Sequence, residues 1–476
     1  MLLHIIRKEL LDQLLSLRFA VACVVCVVVF LLSFTVLARD YREAMSTYNM
    51  NTVMHRSEVQ QVSQVWQVGQ NVKADRPLNP LSTLVRGAAP ELTETVQVQR
   101  GGRLDFAEAY EQNPVIPLFP AVDAVFIVGT IMSLLALAFA YDSVSGESES
   151  GVLKLLMSYA VPRDLVLVGK WVGGYLALVA PFVAAYLIAL VGVALFPQVE
   201  LDLASAGALV GVLGLSLLYL AAVFSLGLLV SCRTRTPTTS ITVLLLLWVA
   251  LVLALPNMAP YAAQVVSPVP QRGSVDREKE VLGQEYSRRF QSLWEEQREA
   301  GGQQPADQEE WRAKFEAMRK EMEEALQKIE DGYAARVKVQ TRWAGLVARL
   351  SPVTSYKLAA LDLAAAGVEQ ERRFVEALKA YGTAWNTYAE EKSRPLNEFV
   401  QRRQRESRGG NVTWTQADFD QFNKDLDLGD HPRFRFRYMG FRERLSLVYP
   451  DLLLLLLWNV VFFMLAYLSF VRAEIR

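Results

Sequence analysis

Few residues in this chain have the types and spacing that catalysis or metal binding requires. Gly169-Lys170 is followed by Trp171 instead of Ser or Thr, so it does not form the Gly-x-x-x-x-Gly-Lys-Ser/Thr loop that holds nucleotide phosphates. No nucleophile elbow and no metal-ligand spacing is present either. The three histidines lie far apart in sequence, at His4, His55 and His431. We therefore expect no catalytic centre, no metal and no cofactor in this chain, and we do not interpret it as an enzyme.

One segment has a pattern suited to binding another molecule. Between two apolar blocks, an acidic and flexible start is followed by Gly151, which opens a short helix with an apolar face, and then by Pro162, which ends it. Such a helix lies at the membrane surface, where it can fit a groove on a partner protein or simply connect two spans among the lipid headgroups. From the residues alone, both interpretations stay open. The residues that define the pattern are Glu147, Glu149, Gly151, Leu153, Leu156, Ser158, Pro162 and Arg163.

The elements that must position this segment are six apolar blocks. A bilayer core about 30 Å thick needs roughly 20 apolar residues per helix, and each block meets or approaches this length. The polar lead of the first block is long and no clear small-x-small cleavage site follows it, so we interpret this block as a retained span instead of a signal peptide. The pattern predicts an all-α membrane protein with six transmembrane helices. The blocks run near Phe19–Leu37, Phe119–Tyr141, Trp171–Phe196, Leu203–Val230, Ile241–Leu255 and Leu447–Val471.

Lysine and arginine in the short loops predict the orientation of the spans. The loop after the fourth block contains Arg233 and Arg235 and no acidic residue, whereas Pro197–Asp202, between the third and fourth blocks, contains no lysine or arginine. Positive charge in short loops marks the cytoplasmic side, so this loop and both termini are predicted to be cytoplasmic. The two long segments 39–118 and 256–446 are then extracytoplasmic.

The second extracytoplasmic segment is predicted to be largely helical. Two apolar stripes, one through Leu282 and Phe290 and the other through Trp311 and Phe315, are separated by glycines and Pro305. Stripes of this kind favour an antiparallel helical hairpin in which each helix buries the apolar face of the other. The surrounding charges mix both signs, so we interpret them as solvated helix faces and expect no nucleic-acid partner.

Further along this segment, a helix is expected over 369–392, with Pro395 interrupting or restarting it. The chain over 411–440 is expected to be irregular. The first extracytoplasmic segment is expected to continue the helix of the first span and then to form loops.

The residues before the first span form a separate amphipathic element. Their apolar side chains recur at helical spacing, and Arg7, Lys8 and Glu9 lie among them, which suits a helix in the plane of the membrane surface. The predicted organisation is an interfacial helix at 1–18, a first span at 19–38, an outer domain at 39–118, four spans at 119–255 with the short helix at about 147–160, a second outer domain at 256–446, a sixth span at 447–471 and a tail at 472–476.

The short helix resembles the coupling helix of the ABC type-2 permease family. The acidic start, the glycine and leucines, and Ser158-x-x-x-Pro162-Arg163 match the pattern of that family, with Val152 where many members have threonine. In the family this helix fits a groove on a cytoplasmic ATPase subunit. The resemblance therefore implies that the eight residues of this pattern, from Glu147 to Arg163, couple this chain to such a subunit.

Two other segments are similar to the same family. Arg7-Lys8-Glu9 resembles the start of its interfacial helix, and Phe470–Arg476 resembles the ending of a bacterial subgroup. That subgroup also carries a large extracytoplasmic domain between the fifth and sixth spans.

The resemblance implies the permease subunit of an ATP-driven transporter, an exporter, in the bacterial cytoplasmic (inner) membrane. Its partners are then an ABC ATPase subunit, which binds ATP and Mg, a second permease copy or a related permease, and membrane lipid. An extracytoplasmic protein partner, the substrate, and the choice between a homodimer and a heterodimer of permeases are left open.

The alternative function is a membrane scaffold or sensor whose outer domain binds a partner protein and signals inward. It would share the six spans but would need no ATPase. A neighbouring gene for an ATP-binding cassette would favour the transporter.

Overall fold

A computed structural model of this protein describes residues 2–68, 72–87, 95–98, 104–105, 122–158, 162–199, 202–299, 305–406, 415–424 and 426–472. In this part of the chain, six helices are long and apolar enough to cross a membrane. The chain divides into a bundle unit, within 1–253, 351–400 and 414–476, and a hairpin unit, within 254–350 and 401–413. The predominance of helix and the six candidate spans confirm the predicted all-α membrane fold.

The helices in chain order are α1 (Leu2–Leu14), α2 (Leu17–Gln60), α3 (Ala124–Phe126), α4 (Ser133–Ala140), α5 (Ser145–Glu149), α6 (Val152–Ser158), α7 (Arg163–Ala194), α8 (Leu203–Arg233), α9 (Pro237–Trp248), α10 (Leu255–Val266), α11 (Arg272–Glu299), α12 (Pro305–Ala348), α13 (Pro352–Leu363), α14 (Val368–Glu406), α15 (Gln416–Lys424) and α16 (Phe441–Arg472). The strands are β1 (Val72–Asp75), β2 (Thr95–Val98) and β3 (Leu104–Asp105). π-Helical segments join α3 to α4 at Ile127–Met132 and α9 to α10 at Val249–Ala254.

Polar side chains fix where several spans begin. Ser16 Oγ accepts a hydrogen bond from the backbone of Phe19 at the start of α2, at 3.2 Å. Asp202 Oδ1 does the same for the Ser205 amide at the start of α8, at 2.8 Å. The first amides of a helix have no partner inside the helix, and these caps satisfy them.

The core of the bundle unit contains aliphatic and aromatic side chains, together with small residues that let the helices approach closely. Phe30 of α2 packs against Phe182 and Tyr186 of α7, with ring centroids 5.9 and 6.1 Å apart. On α8, a Cβ added at Gly227 would lie 2.4 Å from the Cβ of Ala140, so the contact between α8 and α4 requires glycine. Small residues at helix contacts are the usual means of packing spans in lipid.

The helix α13 is an element of the bundle that the sequence does not anticipate. α13 has only 12 residues and lies in the segment 256–446, yet Val353, Tyr356 and Ala360 are fully buried in the bundle core. The ring of Tyr356 stacks on Tyr219 of α8 at 4.9 Å with an interplanar angle of 12°. Because Tyr219 lies near the middle of α8, α13 reaches about halfway along this candidate span.

The first outer segment contains a small sheet where loops were expected. α2 does continue to Gln60, as predicted, but β1, β2 and β3 then form an antiparallel sheet in that order. Each strand has at most four residues, too few for the alternation of side chains to stand out in the sequence. The inward side chains Val72, Ala74, Val96 and Val98 form one cluster with Phe374, Leu378, Tyr381 and Trp385 of α14.

Two expectations about the later chain need correction. The helix expected over 369–392 is confirmed, but the prediction that Pro395 interrupts it is wrong, because α14 continues through this residue to Glu406. Ala389 and Leu396 on either side are buried, and this packing offsets the one backbone hydrogen bond that proline removes. Within 411–440, residues 416–424 are helical, 426–440 contain no helix or strand, and 411–414 and 425 lie outside the described residues.

The hairpin unit contains α11 and α12, which run antiparallel as predicted. Arg272 pairs with Glu330 at 2.9 Å, Tyr286 donates to Glu321 at 3.1 Å, and Phe290 stacks on Phe315 at 6.1 Å. As the residue number increases along α11, the number of the contacting residue on α12 decreases, as in an antiparallel pair of helices.

Candidate functional site

The predicted binding segment lies at one end of the bundle unit, which we call the α1 end. α1, α5 and α6 meet there with the first residues of α7 and α9 and the last residues of α8 and α16. The start of α5 is fixed by α8, because Ser231 Oγ accepts hydrogen bonds from the amides of Val144 and Ser145 at 3.0 and 3.1 Å. The segment is therefore attached to the spans by its backbone as well as by its side chains.

Four charged side chains form a compact cluster at the α1 end, the charge cluster: Lys8 and Glu9 of α1, Glu147 of α5 and Lys170 of α7. Lys170 Nζ lies 3.0 Å from Glu9 Oε1 and 2.8 Å from Glu147 Oε1. Lys8 Nζ lies 3.3 and 3.2 Å from the same two atoms. Two ammonium groups thus alternate with two carboxylates and join three separate helices.

The cluster is shielded from solvent on the α7 side. The side chain of Lys170 is 1% exposed and that of Glu147 is 17% exposed, whereas Lys8 is 53% exposed. A buried ammonium is tolerated only with compensating charge, and Lys170 has two carboxylates. Burial alone would lower the pKa of Lys8, but the neighbouring Glu9 and Glu147 carboxylates outweigh it and raise that pKa.

Two glycines on α7 bring α1 close enough to form the cluster. A Cβ at Gly169 would lie 2.6 Å from Ile5 Cγ2, and one at Gly173 would lie 2.7 Å from the Cβ of Glu9. These glycines are four residues apart and so lie on one face of α7. Any larger side chain at either position would displace α1 and with it the two α1 charges.

The short helix α6 has one buried and one exposed side. Leu153 is 5% exposed and packs with Val166, Leu228 and Phe470, which lie near the ends of three spans. On the other side, Leu155 is 62% exposed. We call the exposed side the α6 surface; it comprises Val152, Lys154 and Leu155, and the exposed Glu149 at the end of α5 precedes it.

The predicted site residues divide between these two sides and the flanking turns. Leu156 is partly buried beside Leu153, while Glu149 and Ser158 are exposed. α6 is described as far as Ser158 and Pro162 directly precedes α7, while residues 159–161, where the predicted end of the helix falls, lie outside the described residues. Arg163 donates to the carbonyl of Val471 at 2.9 Å and so joins α7 to α16. Arg7 and Lys8 are exposed on α1.

The sequence analysis did not predict the ion pairs of Lys170 or the close approach at Gly169 and Gly173. In the sequence, Gly169-Lys170 follows the pattern that resembles the permease family and is excluded as a nucleotide loop. The available signal was a lone lysine about two turns inside α7, since a charge in that position needs a partner. Among the described residues, no three His, Cys, Asp or Glu side chains gather as a metal site would require.

Gly151 separates α5 from α6 and has φ of +76°, a conformation that favours glycine. An added Cβ would meet no heavy atom within 4 Å, so a substitution there changes only the backbone preference. We expect Gly151→Ala to cost about 1 kcal/mol of stability and Gly151→Asn less. Thermal unfolding of the purified variants measures this order, and equal midpoints for both variants and the wild type would contradict it.

Comparisons with known proteins agree on one family. The sequence profile described as "ABC-2 family transporter protein" matches residues 3–475. The chain is 41% identical over 71 residues to a protein of Pseudomonas aeruginosa described as "Probable ABC transporter permease protein NosY", a stretch that covers 15% of this chain and 26% of that one. A protein of Stutzerimonas stutzeri with the same description is 39% identical over 74 residues, or 15% and 27% of the two chains. The chain thus aligns with about a quarter of each relative.

Proposed function

This chain belongs to the ABC-2 family of transporter proteins, and from that membership we propose that its α5–α6 segment couples it to a separate ATPase subunit. It is a membrane permease subunit of an ABC transporter. The finer proposal is that ATP and Mg bind to the partner ATPase, that closure of the ATPase moves α6, and that the spans export a substrate in response.

The α6 surface is the single observation that supports this role best. Leu155 and Val152 are exposed together with Lys154 on this helix of seven residues, and the exposed Glu149 lies at the end of the adjoining α5. Surfaces that combine exposed apolar side chains with charged ones are typical of protein contacts. The α6 surface therefore suits a groove on a partner protein.

The buried side of α6 and the charge cluster provide a route by which a push on α6 would reach the spans. Leu153 contacts the ends of α7, α8 and α16. Glu147, in the adjoining α5, is paired with Lys170 of α7 and Lys8 of α1. Because these contacts are close-packed or ionic, α5, α6 and α1 would move together with the first turns of α7.

The same proposal sets the orientation. Arg233 and Arg235 lie at the α1 end, and the positive charge of this short loop supports a cytoplasmic location for that end and both termini. The membrane is then the bacterial cytoplasmic membrane, and a second permease, identical or related, completes the transport pathway.

Leu155→Arg tests the coupling role. The charge would be placed in the ATPase groove while the buried side of α6 is untouched, so we expect loss of the co-purified ATPase and at least a tenfold fall in ATP turnover. Val281→Arg is the matched control, because Val281 is 64% exposed on a helix of the hairpin unit and Leu155 is 62% exposed. Wild-type co-purification and turnover in Leu155→Arg would overturn the assignment.

A further inference from the structure

Apolar side chains are exposed on α10, in the first part of the hairpin unit. This helix forms the last part of the candidate span Pro237–Val266 and contains no charged residue. Met258, Tyr261 and Val265 are 63%, 71% and 85% exposed. They recur at spacings of three and four, so they form one stripe along the helix. α10 therefore presents an uncovered apolar stripe at the end of this candidate span.

The last turns of α12 carry a second exposed apolar stripe. Gln340 Nε2 donates to the carbonyl of Ser267, the residue that follows α10, at 3.1 Å. Because the earlier residues of α12 pack on α11, the turns beyond Gln340 lie along α10. Val339, Trp343 and Leu346 are exposed at spacings of three and four. Both helices therefore expose apolar side chains over the same stretch of the hairpin unit.

The two stripes lie on different sides of the helix pair. Ala259 and Ala263 are the buried residues of α10, and α12 is the helix against which α10 packs. The exposed stripe of α10 thus faces away from α12, while α12 exposes a stripe of its own. A groove on a partner protein covers one face, whereas lipid covers every apolar side that protein leaves free. The arrangement therefore favours lipid as the covering molecule.

Basic side chains lie at the level where this candidate span ends. Arg336, Lys338 and Arg342 are exposed and lie within four residues of Gln340, which is about 6 Å along a helix. The sequence contains no acidic residue over 332–361. Within the described part of the chain, none of the three basic residues forms an ion pair. Their positive charge is therefore available to an anionic group at the membrane surface.

We propose that the exposed side chains of α10 and of the end of α12, the α10–α12 surface, lie in the membrane and bind anionic phospholipid. The two apolar stripes contact the acyl chains, and Arg336, Lys338 and Arg342 bind the phosphate of the headgroup. Tryptophan and tyrosine are enriched at the membrane–water interface, where Trp343 and Tyr261 would lie. Basic residues beside an apolar helix face attract anionic lipids. The proposal rests on the candidate spans and does not depend on the coupling role of α6.

The test measures which lipid contacts Trp343 in the full chain. The protein is placed in vesicles of phosphatidylcholine that contain a minor fraction of brominated phosphatidylglycerol or brominated phosphatidylcholine. Bromine quenches tryptophan fluorescence on contact, and the difference between the wild type and Trp343→Phe isolates this residue. We expect phosphatidylglycerol to be preferred at Trp343 by about fivefold or more, since one basic residue near an anionic surface contributes about this factor.

Removing the positive charges should remove the preference. The triple variant Arg336→Gln/Lys338→Gln/Arg342→Gln is expected to be quenched equally by both lipids. Arg342→Gln alone is milder and is expected to give a preference between those of the triple variant and the wild type. If both variants keep the wild-type preference, the basic residues do not bind the headgroup and the proposal is wrong.

The matched control is Arg319→Gln/Lys320→Gln/Lys328→Gln, which removes three exposed positive charges from an earlier part of the same helix. Arg319 and Lys320 pair with Glu323 and Glu324, so these charges are already neutralised. The control is expected to keep the wild-type preference. A control that loses it as fully as the first triple variant would show a general charge effect and would overturn the site.

Two further outcomes identify the molecule that covers the surface. Glycerol 3-phosphate carries the headgroup charge without acyl chains, and at constant ionic strength it should leave the preference unchanged. Loss of the preference on its addition would show that free phosphate, instead of lipid, occupies the basic residues. Absence of Trp343 quenching by either lipid would show that protein, such as a second copy of the chain, covers the surface, and equal quenching of the wild type would show lipid contact without headgroup binding. Each of these three results would overturn the proposal.

Discussion

Replacing Lys170 by methionine is expected to destabilise the α1 end and to uncouple the transporter. Glu9 and Glu147 would lose the ammonium that lies 3.0 and 2.8 Å away, and both carboxylates are mostly buried. Breaking a buried ion pair by removing one partner costs about 3–5 kcal/mol. Lys8 still neutralises part of the charge, so we expect about 3 kcal/mol and a clearly lower midpoint of thermal unfolding.

The functional consequence follows from which helices the cluster joins. Without Lys170, α5 and α1 lose their ionic contacts with α7 and keep only their packing contacts, so motion of α6 would be transmitted less directly to that span. The α6 surface itself is intact in this variant. We therefore expect the ATPase to co-purify with Lys170→Met while ATP turnover in the complex falls about tenfold.

Lys320→Met is the matched control, because Lys320 is an exposed lysine of the hairpin unit, outside both the charge cluster and the α6 surface. It is expected to change the unfolding midpoint little. A double-mutant cycle with Glu147→Gln adds a sharper test. The losses of unfolding free energy in the two single variants should not be additive, since each variant removes the same ion pair between Lys170 and Glu147. Additive losses, or a Lys170→Met protein with wild-type stability and turnover, would show that the cluster does not join the helices.

The helical pattern of the α5–α6 segment could be predicted from the sequence, but the ion pairs that attach this segment to α1 and α7 could not. Gly151, the acidic start and the leucines are local signals, and they predicted a short helix at the bundle end. The ion pairs depend on residues 139 and 161 positions apart, Lys8 with Glu147 and Glu9 with Lys170. Local periodicity carries no information about such distances, so the buried role of Lys170 emerges only when the spans are packed.

The helix α13 is a part of the fold that the sequence could not predict for a similar reason. The six spans were predictable because each has an apolar length that matches a bilayer. α13 has 12 residues, too few to span, and follows a long charged hairpin, so its composition alone did not separate it from the outer domain. It is stabilised by contacts with α8 and with the π-helical segments, none of which its own sequence specifies.

Tyr356→Ala is expected to cause the second large effect, loss of α13 from the bundle core. Tyr356 is fully buried, stacks on Tyr219 and shares a hydrogen bond of 3.0 Å with Ser216. Removing a buried aromatic side chain costs about 3–5 kcal/mol through lost packing and the cavity left behind. Tyr356→Phe keeps the stack and removes only the hydroxyl, so about 1 kcal/mol is expected.

Two measurements separate these outcomes. Thermal unfolding should rank the wild type above Tyr356→Phe, and that variant well above Tyr356→Ala. Limited trypsin digestion should cut at Lys357 in Tyr356→Ala only, because this lysine lies on α13 and becomes accessible when the helix leaves the core. Tyr261→Ala is the control, since Tyr261 is 71% exposed and its loss should change stability by less than about 0.5 kcal/mol.

The expected size of the effect rests on what surrounds Tyr356. Its neighbour Tyr219 donates to the carbonyl of Gly129 in one π-helical segment at 3.1 Å, and Ser351, just before α13, donates to the carbonyl of Leu251 in the other at 2.5 Å. π-Helical turns interrupt the regular backbone ladder, and here a side chain bonds a carbonyl in each. Loss of the Tyr356 ring would loosen the stack that orients Tyr219 as well, so one substitution weakens contacts to α8 and to the first π-helical segment. Equal midpoints for Tyr356→Ala and Tyr356→Phe would show instead that the hydroxyl alone holds α13 in place.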